Sequence, residues 1–219
     1  MEDFWNTLTP PWQACLEEAW AAYCTGNLPI GAVITDADGI ILSRGRNRWY
    51  DTQIEPNQIG GSRLAHAELN ALLKLPQNRA DYRSWSLYTT LEPCPLCIGA
   101  MYMVGLRNLH YAARDPWAGS TNLLGTTDYM SRKTILIGKP QRTDMEAILI
   151  GMGTEAILQD RITRTREVLE TKRAYCPAGV QFGETLFSKK VLPKLKTRAS
   201  AAPQVYNYLA KLWYKYEQL

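Results

Sequence analysis

Histidine is scarce: His66 and His110 are the only two in 219 residues, and cysteine occurs five times, at Cys15, Cys24, Cys94, Cys97 and Cys176. An odd number at irregular spacing excludes a secreted disulfide framework as the organising device. HExxH and paired CxxC motifs are absent, which removes the helical metalloprotease pattern and the closed four-cysteine zinc site. There is no Gly-rich phosphate loop, internal repeat or low-complexity tract. No apolar run approaches the roughly 20 residues of a membrane span. The opening residues, "MEDFWNTLTPPWQACLEEAW", lack the basic start and apolar block of a secretory leader. The expectation is a cytoplasmic protein with no membrane partner.

What is present fits a soluble globular chain, with 46% hydrophobic, 10% aromatic and 21% charged residues. Its length supports one sizeable core plus an extension. The net charge of +4 is unevenly spread: residues 1–160 hold 13 Lys and Arg against 17 Asp and Glu, while 161–219 hold 12 against 4. Such a basic tail either attracts a polyanion such as RNA or is a set of helices with solvated lysines.

Apolar periodicity predicts a first helix over "WQACLEEAWAAYCTGN", stopped by Gly26. "IGAVITDADGIILSRGRN" reads as a β-hairpin turning at "DADG". A loop with Trp49 and Tyr50 follows, then a helix from about Ala65 to Leu75 closed by Pro76. "SWSLYTTLE", "PLCIGAMYMVGL" and "NLHYAARD" read as strand, helix and strand, the alternation of a layered α/β sheet. A strand at "TILIGK" precedes one long helix over Thr143–Lys172, whose continuity Gly151 and Gly153 weaken, and "CPAGVQFG" reads as a break. Two final helices are expected over "ETLFSKKVLPKLKTR" and "PQVYNYLAKLWYKYEQL", the last with a stripe of Val205, Tyr208, Leu209 and Leu212.

The chemistry sits in "HAELNALL" and "PCPLC", with Cys94 28 positions after His66. Cysteines three apart share a helix face, so Cys94 and Cys97 can offer two sulfurs to one ion. Pro95 suits a first helical turn and puts Cys94 at the entrance, where the helix dipole favours thiolate. His66 completes a three-ligand set with one position free for water, the pattern of a catalytic zinc site. Glu68, two residues on, reaches the same point only over the helix's first turn, where a carboxylate can collect and return a proton. A redox CxxC leaves the histidine unexplained. A structural zinc would have to recruit His110 or Cys176 as a fourth ligand.

H-x-E with P-C-x-x-C is the zinc nucleobase deaminase pattern. Together with "NLPIGAVITDADGIILSRGRNR", "LYTTLEPCPLCIGAMYM" and "YAARD", it makes residues 10 to 125 resemble the tRNA adenosine deaminase and guanine deaminase branch of the cytidine deaminase-like superfamily. The resemblance implies an α/β fold: a three-layer α/β/α sandwich around a five-stranded mixed sheet, followed here by a helical C-terminal extension, and assembled as a homodimer. The expected division is a zinc-dependent deaminase domain over 1–160 and a basic helical extension over 161–219. The resemblance implies one Zn2+ per chain with a bound water or hydroxide, held by His66, Cys94 and Cys97, with Glu68 as the proton shuttle. It places Asn47, Ala32, Glu92, Pro93 and Asp115 at the substrate pocket; Asn47 also reads as a turn-capping residue.

The loop of 17 residues between Arg48 and His66, with Trp49 and Tyr50 as a cover, favours a small-molecule nucleobase or nucleoside, purine first. The slightly acidic 1–160 segment fits phosphate backbone poorly. The alternative is a tRNA-specific adenosine deaminase acting on a wobble adenosine, with tRNA as partner. A third reading is a non-catalytic deaminase-fold subunit, which Glu68 argues against. His110 and the remaining cysteines read as ordinary packed or surface groups.

Overall fold

A computed structural model describes residues 3–76, 82–140, 142–160 and 165–218. Helix α1 (Pro10–Cys24) leads into strands β1 (Gly31–Thr35) and β2 (Ile41–Arg46), the predicted hairpin. Helix α2 (Ala67–Leu72), β3 (Ser86–Leu91), α3 (Pro95–Val104), β4 (Asn108–Ala113) and β5 (Leu136–Gly138) follow. The sheet order is β2-β1-β3-β4-β5. Strand β1 is antiparallel to β2 and β3, whereas β4 is parallel to β3 and β5, so the sheet is mixed as expected.

Alternation along the strands sends side chains to two cores. Ala32, Ile34, Leu87 and Leu109 pack with Ala67, Ala71, Ile98 and Met101 of α2 and α3. Val33 and Ala112 face the other way, toward Cys15 and Leu16 of α1 and a large helical cluster. Gly45 lets α2 lie directly on the sheet: a Cβ there would stand 2.2 Å from the Ala67 carbonyl oxygen. That close approach sets the height of His66 and Glu68 above the strands.

The C-terminal part differs from the expected single helix followed by a break. Helix α4 (Asp144–Asp160) and α5 (Thr165–Tyr175) are separate elements, and residues 161–164 lie outside the described ones. "CPAGVQFG" is no break: Pro177 starts α6 (Pro177–Ser188). Its glycines are packing positions, since a Cβ on Gly183 would stand 2.5 Å from the Gly151 carbonyl oxygen of α4. The expected helix over 184–198 is divided at Lys190, whose φ is +51°, before α7 (Val191–Thr197). In α8 (Ala202–Glu217) the buried face is Val205, Tyr206, Leu209 and Trp213, and Tyr208 is 45% exposed. Trp5 meets the Tyr206 ring at 6.2 Å and Phe182 meets Trp213 at 5.3 Å, which turns the helix to this face. Among the described residues no helix is long and apolar enough to cross a membrane.

Candidate active site

His66 is the N-cap of α2 and Cys94 the N-cap of α3, with Pro95 in its first turn. The two helix starts meet, and His66 Nδ1 lies 3.4 Å from both Cys94 Sγ and Cys97 Sγ, which are 3.7 Å apart. Tetrahedral zinc, with bonds of about 2.3 Å to sulfur and 2.0–2.1 Å to nitrogen, spaces its sulfurs about 3.8 Å apart and sulfur from nitrogen about 3.5 Å. The donor set and its spacing therefore fit zinc. Among the described residues these three form the candidate metal group, and no fourth protein ligand joins them.

The electrostatics of the triad follow from its crowding. The Cys94 thiol is held down to about 4, by hydrogen bonds from Cys97 and His66 against the cost of burial. Cys97 is pushed well up by its bond to Cys94 and by full burial. Two sulfurs this close repel each other as thiolates, a repulsion that a bound cation would relieve. Glu68 lies alongside: its Oε2 is 3.4 Å from Cys97 Sγ, and its Oε1 accepts a bond from Thr89 Oγ1 at 3.3 Å. Burial raises its carboxyl, with His66 pulling the other way. A buried, proton-retentive carboxyl beside an ion site is suited to moving protons.

The triad opens into a cavity of about 570 Å³ whose wall includes Asn47, Trp49, His66, Glu68, Glu92, Cys94 and Asp115. Asn47 is 2% exposed, and its Oδ1 accepts the Trp49 backbone N–H at 3.2 Å. It is therefore the turn-capping residue as well as a wall residue, and among the described residues its Nδ2 has no partner. Glu92 accepts bonds from Thr121 N and Oγ1 and from Asp115 N, which ties down the loop after β4. Ala32 and Pro93 are placed behind the wall rather than on it. Ala32 is fully buried among Ala67, Ala71 and Leu87, and the Pro93 carbonyl takes the Ser120 N–H at 3.0 Å.

Of the two aromatics expected to cover the pocket, Trp49 does line it, with its ring 6.4 Å from that of His66. Its indole N–H is buried without a partner among the described residues. Tyr50 is 50% exposed and lies outside this wall, a correction to its expected place. The preceding turn is fixed by Asp51, which receives Arg46, Arg48 and Asn27. Burial works against the Asp51 charge, yet bonds from Arg46 and Asn27 hold its carboxyl below the usual range. His110 stands apart, stacked on Tyr88 at 4.3 Å.

Among the wall residues that went unread in the sequence are Ile157 of α4 and Val168 and Lys172 of α5. Lys172 is 6% exposed and donates to Asp115 Oδ1 at 3.0 Å. The signal was available, for Val168 and Leu169 precede it by four and three residues and put it on the apolar stripe of its helix.

Residues 11–113 match the model of the cytidine and deoxycytidylate deaminase zinc-binding region. A cytosine deaminase of Candida albicans is 30% identical over 115 residues, covering 51% of this chain and 70% of that protein. The chain belongs to the cytidine and deoxycytidylate deaminase family. Other members similar to it are a guanine deaminase of Bacillus subtilis, 38% identical over 87 residues (39% of this chain, 50% of that protein). A tRNA-specific adenosine deaminase of Haemophilus influenzae is 36% identical over 107 residues, 48% of this chain and 57% of that protein. The chain thus spans only about half the length of these two deaminases, and the family region ends at residue 113, before any of α4 and α5.

Proposed function

We propose that the chain is a zinc-dependent hydrolase that replaces the exocyclic amine of a free nucleobase or nucleoside, purine favoured, with a carbonyl and releases ammonia. The observation that carries this reading is the pocket itself: Ile157, Val168 and Lys172, all outside the family region, wall the cavity over the His66, Cys94 and Cys97 triad. A volume of about 570 Å³ suits a base or nucleoside. The similarity to a guanine deaminase supports a purine.

Zinc held by the triad would supply a water acidified to a pKa of about 7. Glu68 takes one proton of the attacking water and delivers it to the ring nitrogen next to the amine-bearing carbon, then takes the second from the hydroxyl now on that carbon and gives it to the amine, so that the C–N bond breaks as the carbonyl forms. Burial favours this two-way role, because it keeps the carboxyl ready to hold a proton. Asn47 donates from Nδ2 to the base, Trp49 packs against it, and Glu92 keeps the loop carrying Asp115 in place. Water and an amine enter the balance, and a carbonyl and ammonia leave it.

The second reading is a tRNA adenosine deaminase. It is favoured by Arg63, exposed on the pocket's rim with its guanidinium 5.9 Å over Trp49, and by the similarity to the Haemophilus protein. Ammonia release by zinc-loaded protein from a panel of bases, nucleosides and tRNA separates the readings. Turnover of tRNA alone rejects the small-substrate proposal, and no turnover at all favours a non-catalytic subunit. A homodimer belongs to the same proposal, since Leu96, Met103 and Val104 on α3 and Leu136 and Ile137 on β5 are exposed apolar side chains that a second copy would cover. Cytoplasmic residence is supported by five free cysteines.

A further inference from the structure

We propose that Lys172 reads the substrate, selecting an aminated ring that also carries a ring carbonyl, as cytosine and guanine do and adenine does not. The inference rests on the pocket being the deaminase site, and it narrows that reading to one class of base. Lys172 reaches the pocket from α5, yet its side chain is only 7% exposed. A buried ammonium brings three donors that must find acceptors. Asp115 Oδ1 takes one at 3.0 Å, and among the described residues no other acceptor is bonded to Nζ. The wall it shares is largely hydrocarbon, with Leu28, Ile30, Leu91 and Ile157, and the Glu92 carboxylate on it is taken by Thr121 and the Asp115 N–H.

The unused donors therefore belong to whatever fills the cavity. A carbonyl oxygen is the acceptor that a charged donor rewards most among the groups of a neutral base. Asp115 neutralises the charge and fixes the position of Nζ, so the pair offers direction without demanding an anion. A site built to hydrogen-bond one substrate group rejects the analogue that lacks it, because the protein's donors are then left buried and unpaired. Lys172 also explains why family likeness leaves the substrate open: the discriminating residue lies 59 positions beyond the family region, which ends at residue 113.

Two pairs test this: guanine against 2-aminopurine, and cytosine against 4-aminopyrimidine, each pair differing in the ring carbonyl and the ring N–H that accompanies it, so that the Lys172 variants assign the difference to the carbonyl. Binding is read by thermal shift and fluorescence, and kcat/KM by ammonia release, in zinc-loaded protein. The wild type is expected to prefer the carbonyl member of at least one pair by on the order of 10- to 100-fold. Lys172→Met combined with Asp115→Asn, which strands no charge, is expected to bring that ratio to about 1. Lys172→Gln, which keeps a neutral donor, should retain an intermediate ratio. The same ratio in wild type and variants, with the carbonyl base still turned over, overturns the role of Lys172 while leaving the proposed function intact. Equal binding within both pairs by the wild type overturns it too. Binding of none of the four bases, with tRNA turned over, overturns both.

Discussion

The ammonium of Lys172 sits 3.0 Å from Asp115 Oδ1, with the two side chains 7% and 10% exposed, and so joins α5 to the loop behind β4. A buried pair loses more when one partner is removed than when both are, since the survivor keeps its desolvation cost. Lys172→Met is expected to lower stability by about 3 kcal/mol, and adding Asp115→Asn to restore a large part of it. Urea unfolding of the two single variants and the double variant closes the cycle. Strict additivity would show that the contact carries no coupling.

The triad and Glu68 divide binding from proton transfer. Cys97→Ala removes a ligand from a set with no spare, so metal analysis should find the zinc of the wild type absent. Glu68→Gln leaves all three ligands in place and should retain metal while kcat falls by roughly 10²- to 10⁴-fold. Zinc loss in the glutamate variant would mean that the carboxylate is itself a ligand. Chelation of the wild type should lower Tm, and zinc should restore it.

Glycines on α4 and α6 answer differently according to what stands opposite. A Cβ on Gly183 of α6 would lie 2.5 Å from both the Gly151 oxygen and Thr154 Cβ, atoms of α4 that cannot swing aside. Gly183→Ala should therefore destabilise by about 1–3 kcal/mol. Gly153, inside α4, has no atom within 4 Å of such a Cβ, so Gly153→Ala should stabilise by up to about 1 kcal/mol through helix propensity. Thermal unfolding of the two variants reads both signs, and a shared sign would refute the packing argument.

These glycines also mark where the sequence stopped being legible. The hairpin, the α2 and α3 starts, and the spacings of His66 to Glu68 and of Cys94 to Cys97 could be read because each is a local pattern of a few residues. Gly179 and Gly183 look the same locally whether they end a helix or let two helices touch, and only the partner α4 decides. Likewise Val205 and Leu209 permit a stripe through either Tyr206 or Tyr208, and the choice is made by Trp5, which meets the Tyr206 ring. Lys172 was unread for the same reason: a lysine on an apolar stripe normally carries its charge out to water, and Asp115, 57 positions away, keeps this one in.

Glu155 supplies a pH dependence that does not pass through the metal site. It is fully buried on α4, where Tyr23 and Gln159 both donate to Oε1 while Oε2 has no partner among the described residues. Burial raises its carboxyl above the ordinary 4.5, with the bonds from Gln159 and Tyr23 opposing but not cancelling the effect. Above pH 4.5 the unfolded chain has released this proton while the folded chain still holds it. Stability therefore falls as pH rises from there toward the raised value, by no more than about 1.4 kcal/mol per pH unit, and levels off once the folded group ionises. Glu155→Gln removes the titration. Because the zinc ligands and Glu68 titrate alike in both proteins, the stability of the variant minus that of the wild type isolates residue 155. That difference should grow as pH is raised from 4.5, and urea titrations across the range that run parallel would show that folding leaves the titration of Glu155 unchanged.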